Sequence, residues 1–215
     1  MIKQDTSAGQ LGFDTLLSDA EADNTARRFE RETAHLPGAM EDALPFYRDL
    51  LERHHMAMLA ADVKVAMGMR DDARLLAVKL NGGEPGICAH DDAPACVLDR
   101  ETAAQPGALP LWGQSGSFFL SVLDTQVRVE IEGIFGTASG FYFYPGFSAH
   151  AVDLHKPFLS ETGYRSFLGI HAEPQPDLSP ERFVSEVLTA YVTKELGGRP
   201  LCIAERYRQR RKGGP

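Results

Sequence analysis

The strongest constraint on how this chain folds is an alternating pattern between residues 116 and 135. Apolar side chains occupy every second position in two successive runs, Phe118, Leu120 and Val122, then Val127, Val129 and Ile131. Because strand side chains alternate between the two faces of a sheet, this pattern predicts an antiparallel hairpin with one apolar and one mostly polar face. A two-residue turn at Asp124-Thr125 would pair Val122 with Val127, Leu120 with Val129 and Phe118 with Ile131.

Further strands are predicted downstream of the hairpin. They cover residues 140–144, 147–152 and 164–171, and a last short strand covers residues 201–203. Ser179 followed by Pro180 is typical of a helix start, because serine caps the first turn and proline fits its first position. Strands that cluster together and are flanked by helices predict an α+β fold, with a mainly antiparallel sheet of about four to five strands and a C-terminal helix packed on it.

Residues 41–83 predict an N-terminal helical pair. Apolar side chains recur at helical spacing over residues 42–67. Gly68 weakens that helix, and Asp71 or Asp72 can cap a second helix over residues 71–81, which Asn81-Gly82-Gly83 ends. The remaining segments are a polar, loosely held arm (residues 1–40), a Gly/Pro-rich connection (84–111), the sheet with its helix (112–204) and a basic tail (205–215).

Composition narrows the class of protein. The 215 residues are 43% hydrophobic and 24% charged, which is typical of a globular chain and excludes collagen-like, disulfide-scaffold and largely disordered classes. No apolar run approaches the ~18 residues that span a bilayer, so no membrane partner is expected. The net charge of −8 disfavours nucleic acid as a partner except through the tail, where residues 205–212 carry five basic groups and one acidic group.

Cysteine use indicates a reducing compartment. Cys88, Cys96 and Cys202 are an odd number, and no apolar secretion signal follows the N-terminal methionine, so a cytoplasmic location is predicted. The segment from Cys88 through His90, Asp91 and Asp92 to Cys96 contains zinc-ligand residue types. The alternative is an ordinary polar loop with two free thiols.

Two groups of histidines contain residue types that can take part in catalysis or metal binding. His54 and His55 are adjacent within a predicted helix, so one is expected at the helix interface and the other towards solvent. His150, His171 and Glu173 resemble a two-histidine, one-carboxylate metal site. The leading interpretation has no cofactor and no metal, and keeps these three residues as candidates for a metal-dependent enzyme.

A binding site is predicted where the later strands end. Tyrosine combines a large contact area with a polar group, and an arginine guanidinium can hold a carboxylate or phosphate by two parallel hydrogen bonds. The candidate binding residues are Tyr144, His150, Tyr164, Arg165 and His171. We expect a compact sheet to bring them together, with Arg165 as the anchor; the competing account has Arg165 pairing only with Glu161 or Asp153.

Three segments carry a family resemblance: residues 160–169 (Ser-Glu-Thr-Gly-Tyr-Arg-Ser-Phe-Leu-Gly), 111–114 (Leu-Trp-Gly-Gln) and 81–83 (Asn-Gly-Gly). Over residues 45–195 the chain resembles uncharacterised hypothetical proteins of alphaproteobacterial genomes and mobile elements. That resemblance implies a bacterial, cytoplasmic context and no established activity, cofactor or catalytic residue.

Three functions follow as hypotheses. The first is a bacterial accessory protein without catalysis, which binds a protein partner or a second copy of itself. The second is a metal-dependent enzyme that uses His150, His171 and Glu173. The third is a nucleic-acid accessory factor that acts through the basic tail.

Overall fold

The computed structural model describes residues 20–21, 23–122 and 125–208. The helices are α1 (residues 20–21 and 23–32), α2 (Met40–Leu59), α3 (Val63–Leu80), α4 (Pro94–Glu101), α5 (Pro180–Lys194) and α6 (Glu205–Arg208). The strands are β1 (Gly116–Val122), β2 (Thr125–Ile131), β3 (Phe147–Ala151) and β4 (Tyr164–Phe167). All four strands form one antiparallel sheet in the order β1-β2-β3-β4. The predicted α+β class, with N-terminal helices and a C-terminal helix, is confirmed.

The β1–β2 hairpin has the predicted faces but a different register. Val127 pairs with Leu120 rather than with Val122, and Phe118 pairs with Val129. Val122 pairs with Thr125, so Thr125 belongs to β2 and not to the turn predicted at Asp124-Thr125. Residues 123–124 lie outside the described residues. The register shift is two residues, and a shift of two leaves every side chain on its predicted face.

The predicted strand at residues 140–144 is wrong. A 3-10 turn over Ala138–Gly140 and bends occupy this segment. The carbonyls of Tyr142 and Phe143 accept hydrogen bonds from the buried Arg70. The strand predicted at 164–171 is shorter, ending at Phe167, and residues 201–203 contribute only an isolated bridge between Leu201 and Phe158.

The helical pair breaks earlier than predicted. The break falls at residues 60–62 rather than near Gly68, which lies inside α3. Ala61 has a positive φ of 53°, and the Asp62 side chain accepts a hydrogen bond from the Val65 N–H at 3.0 Å, which caps the start of α3. The predicted connection at residues 84–111 contains α4, whose first residue is Pro94.

The end of the N-terminal arm is held against α3. Residues 1–19 lie outside the described residues. Thr33 and Leu36 are buried, and their carbonyls accept hydrogen bonds from the Lys79 ammonium at 2.8 and 2.6 Å. The loosely held arm predicted for residues 1–40 is therefore wrong for this part.

Buried apolar side chains form two clusters. The sheet cluster lies between the apolar face of the sheet and α5, and contains Trp112, Phe118, Val129, Phe147 and Phe183. The helix cluster lies between α2, α3 and α4, and contains Tyr47, Leu50, Leu76, Leu98 and Ile134. Within the described residues, none of the helices combines the length and apolarity required to cross a membrane.

Candidate functional site

The polar face of the sheet turns towards solvent, and a row of four side chains crosses it. Arg128 on β2 pairs with Phe119 on β1 and with His150 on β3, and His150 pairs with Tyr164 on β4. A second row contains Ser117, Glu130, Ser148 and Ser166. We call these eight residues the open face.

Charged groups form a network at the centre of the open face. The Arg128 guanidinium donates to the Glu130 carboxylate, and His150 Nε2 lies 3.1 Å from the other carboxylate oxygen. The Ser148 hydroxyl is 3.1 Å from His150 Nε2 and donates to Glu130 at 3.4 Å. Partial burial raises the pKa of the Glu130 carboxyl, but hydrogen bonds and charge from Arg128 and His150 outweigh this effect, so its pKa lies below the usual value.

Exposed aromatic rings stand at both ends of this row. Phe119 on the first strand is 60% exposed and Tyr164 on the last strand is 47% exposed. The Tyr164 ring meets the His150 ring edge to face, with 5.0 Å between centroids. Exposed rings around a polar centre give a surface suited to recognition, because aromatic side chains combine large contact areas with few rotatable bonds.

The structure brings together only two of the five predicted binding residues, His150 and Tyr164. Arg165 follows Tyr164 on β4 and therefore points to the opposite side of the sheet. Its guanidinium lies over the Tyr191 ring of α5, 4.8 Å from the centroid, and 6.0 Å from the Phe167 centroid. Arg165 therefore covers aromatic rings at the sheet edge and does not anchor the open face.

Tyr144 and His171 lie elsewhere. Tyr144 is buried against Trp112 and Phe183, and its hydroxyl accepts a hydrogen bond from the Gln175 N–H at 3.0 Å. His171 is exposed and its ring meets Tyr142 edge to face at 4.9 Å. Tyr144 thus belongs to the sheet cluster, and the five candidates do not share one pocket.

The metal-ligand candidates are not gathered into a site. Across residues 20–21, 23–122 and 125–208, no three His, Cys, Asp or Glu side chains form a group that could hold a metal ion. His150 is on the open face, and His171 is beside Tyr142. The Glu173 backbone carbonyl accepts a hydrogen bond from the Tyr144 hydroxyl at 3.4 Å.

A polar network that the sequence interpretation missed joins α2 and α3 to two loops. Arg70 is 1% exposed and donates from Nε to His54 Nε2 at 3.0 Å. Its terminal nitrogens donate to the carbonyls of Tyr142 and Phe143 at 2.8 and 2.6 Å, and to that of Ser139 at 3.3 Å. Because the carbonyls of Tyr142 and Phe143 bond to Arg70 instead of to a neighbouring strand, residues 140–144 do not form a strand.

His54 and His55 both bond to the second loop, which contains Trp112. Because His54 Nε2 accepts from Arg70, its Nδ1 carries the hydrogen and donates to the Trp112 carbonyl at 2.8 Å. The Trp112 N–H donates to His55 Nδ1 at 3.0 Å. His54 is buried in the helix interface as predicted for one of the pair, and half-buried His55 bonds the loop instead of facing solvent.

The basic tail is described only as far as Arg208. Arg206 lies over the Tyr207 ring at 4.9 Å, and Arg208 donates to the Ile203 carbonyl at 2.8 Å. Both arginines therefore make contacts within the chain, while residues 209–212 lie outside the described part.

The fold and the open face define a small α+β protein with a solvent-facing sheet surface. The chain is 34% identical to Protein KlcB of Escherichia coli over 160 residues, which are 74% of this chain and 38% of that protein. It is 37% identical to another Escherichia coli protein named Protein KlcB over 150 residues, which are 69% of this chain and 32% of that protein. The chain thus spans about a third of the length of the curated relatives it matches.

These similarities support a resemblance to bacterial proteins, and an alphaproteobacterial or mobile-element origin stays a prediction. The name Protein KlcB states no activity, substrate or partner. No family model matches the chain. No solved structure matches it.

Proposed function

We propose that this chain is a bacterial cytoplasmic accessory protein that acts by binding protein, without catalysis, and that the open face is its binding surface. The partner we propose is a second copy of the chain. The observation that carries the proposal is the row from Phe119 to Tyr164, with exposed rings at its ends and charges of both signs beside its centre.

Charge supports a second copy as the partner. Arg128 and Glu130 are two positions apart on the same face of one strand. A two-fold axis that runs across the strands would reverse the strand direction of the facing copy. Arg128 of each copy would then lie opposite Glu130 of the other, as a self-complementary interface requires.

The aromatic rings at the ends of the row support a protein interface, whether the partner is a second copy of the chain or a different protein. Rings and arginine are enriched in protein interfaces and contribute most of their binding energy. The central charges are already partly satisfied within one copy, so aromatic burial supplies the larger share of the favourable free energy and the charges fix orientation.

Two observations support the proposed bacterial cytoplasmic location. The three cysteines are free thiols, which is the state that a reducing cytoplasm maintains. The relatives at 34% and 37% identity come from a bacterium. Neither alternative function gains support, because the described residues hold no three-ligand metal group and residues 209–212 of the tail lie outside them.

Sedimentation velocity over a wide concentration range tests the proposal. The wild-type chain is expected to shift from monomer to dimer as concentration rises. Phe119→Ser and Tyr164→Ser are each expected to weaken dimerisation by about tenfold, the effect of losing about 1.4 kcal/mol at an interface. Leu109→Ser removes an exposed apolar side chain outside the open face and is the matched control.

Charge reversal sharpens the test. Arg128→Glu and Glu130→Arg each place like charges opposite one another in the proposed dimer and are expected to weaken it, whereas the double variant restores opposite signs and recovers association. Circular dichroism of each variant checks the fold. A wild-type chain that stays monomeric at every concentration, or variants that dimerise as the wild type does, would contradict self-association.

A further inference from the structure

A backbone hydrogen bond brings two cysteines near each other beside the start of α4. The Ala95 N–H donates to the Ile87 carbonyl at 3.0 Å, and Cys96 and Cys88 are the next residues in the two stretches of chain that this bond joins. Cys96 lies near enough to the Cys88 thiol to raise its pKa. Cys88 is exposed and Cys96 is half-buried, so solvent reaches the pair from the Cys88 side.

The turn between the two cysteines is compact. The Ala89 N–H donates to the Gly86 carbonyl and the Ala93 N–H to the His90 carbonyl, each at 2.9 Å. Gly86 has a φ of 89°, a conformation that glycine adopts without strain. The backbone therefore keeps the two cysteines near each other before any covalent bond forms, which lowers the entropic cost of joining them.

The surroundings favour the thiol over the thiolate. Burial raises the pKa of the Cys88 thiol, and the neighbouring Cys96 and the Asp99 carboxylate raise it further. The attacking form of a cysteine is the thiolate, so the reaction of Cys88 with a disulfide is expected to become faster as pH rises.

We propose that Cys88 and Cys96 are a redox site that closes to an intramolecular disulfide on reaction with a small disulfide such as oxidised glutathione. The Cys88 thiolate attacks one glutathione sulfur, forming a mixed disulfide and releasing one glutathione thiol. The Cys96 thiolate then attacks the Cys88 sulfur and releases the second. The protein gives up two electrons and two protons, and both glutathione halves leave as thiols; a dithiol reductant reverses the reaction.

The test uses the full-length wild-type chain and oxidised glutathione. After incubation, the remaining thiols are alkylated under denaturing conditions and the protein is measured by intact mass and peptide mapping. The wild type is expected to lose two of its three alkylatable thiols, to carry no glutathione at Cys88 or Cys96, and to yield a linked peptide containing both residues.

Two variants separate the steps. Cys96→Ser lacks the resolving thiol and is expected to retain one glutathione on Cys88, whereas Cys202→Ser is expected to form the Cys88–Cys96 disulfide as the wild type does. Wild-type protein that accumulates glutathione on Cys88, or keeps both thiols free, would overturn the proposal, and so would a linked peptide joining either thiol to Cys202 instead. This outcome is independent of whether the open face binds a second copy.

Discussion

Arg70 is a buried cation with no carboxylate within hydrogen-bonding reach in the described residues. Its donors are met by the His54 ring and by carbonyls of Ser139, Tyr142 and Phe143. Burial lowers its pKa to about 10, so the guanidinium stays charged at neutral pH. Because a buried charge is costly unless its hydrogen bonds are satisfied, each of these carbonyls fixes the path of the 139–143 loop.

His54 makes stability depend on pH. Burial, and to a smaller extent the charge of Arg70, lowers the pKa of His54 to about 4, against a hydrogen bond to the Trp112 carbonyl that raises it. Between pH 6.5 and 4 the unfolded chain takes up a proton at this residue and the folded chain does not. The free energy of unfolding is therefore expected to fall as pH decreases across this window, by about 3 kcal/mol in total. Urea denaturation at a series of pH values measures it.

His54→Gln provides the control for that series. Glutamine does not titrate, so the variant is expected to lose this part of the acid dependence even if it is less stable throughout. Asp99 contributes a pH dependence of stability with the opposite sign to that of His54. Burial raises the pKa of Asp99, so its protonation at low pH stabilises the folded state. A wild-type profile with the same slope as His54→Gln between pH 4 and 6.5 would show that His54 is protonated in the folded chain.

At the scale of elements, the two faces of the hairpin predict opposite responses to charge. Val129 is fully buried on β2 and faces the sheet cluster, whereas Ser121 is exposed on β1. Val129→Asp is expected to lower the free energy of unfolding by about 4 kcal/mol, because it buries a carboxylate without a partner. Ser121→Asp is expected to change it by less than about 0.5 kcal/mol.

Chemical denaturation of both variants measures the two changes in the free energy of unfolding and shows which face of the hairpin is buried. Equal losses, or a larger loss in Ser121→Asp, would mean that the polar face of the hairpin is packed against another part of the chain. A variant of Val129 that expresses without a cooperative unfolding transition agrees with the expected loss.

The hairpin also shows how far the sequence predicts an element. A period of two identifies the strands and their faces, but it is unchanged by a shift of two residues, so alternation alone cannot distinguish Val122 from Leu120 as the partner of Val127. The helix break was misplaced for a related reason. Gly68 is a weak breaker that the interior of α3 tolerates, while the actual break depends on the positive φ of Ala61 and the Asp62 cap.

Two other segments differ from the sequence prediction, the first because of a distant contact and the second because of a local signal. Residues 140–144 have the aromatic composition of a strand, yet their carbonyls bond to Arg70, about 70 positions earlier in the chain. Helix α4 begins at Pro94 inside a stretch whose glycines and prolines indicated a connection. The signal that could have shown this helix was proline at its first position, followed by residues of good helix propensity.

The candidate site was predictable only in part. His150 and Tyr164 meet because β3 and β4 are paired neighbours in the sheet, and Arg165 is excluded by the alternation of β4 itself. The alternation of the hairpin places Phe119, Arg128 and Glu130 on its mostly polar face, but nothing in their spacing shows that four strands align them in rows. That alignment requires the register, which the alternation of side chains alone does not specify.

At the scale of the whole molecule, the Arg70 network joins the two clusters. Arg70 is on α3, whereas the carbonyl of Trp112, held by His54, belongs to a residue packed against Phe183 of α5. The helix and sheet clusters are therefore expected to unfold together. In urea, far-ultraviolet circular dichroism and fluorescence of Trp112, the only tryptophan, should give one common midpoint.

Arginine variants test the link. Arg70→Met is expected to separate the two midpoints, while Arg53→Met, which removes an exposed arginine paired with Asp49 at 2.9 Å, leaves them together. Different midpoints in the wild type would show that the clusters are independent folding units.

Gly113 gives this link a consequence for how the chain can evolve. Its φ is 87°, and a Cβ at this position would lie 2.7 Å from His54 Nδ1 and 2.9 Å from the Ile134 side chain. Any side chain at position 113 therefore pushes on Ile134 and on the ring that holds Arg70, so replacing the glycine requires a change at residue 54, which releases the arginine. Descendants of this chain should inherit positions 54, 70 and 113 as one unit, altered together or left intact.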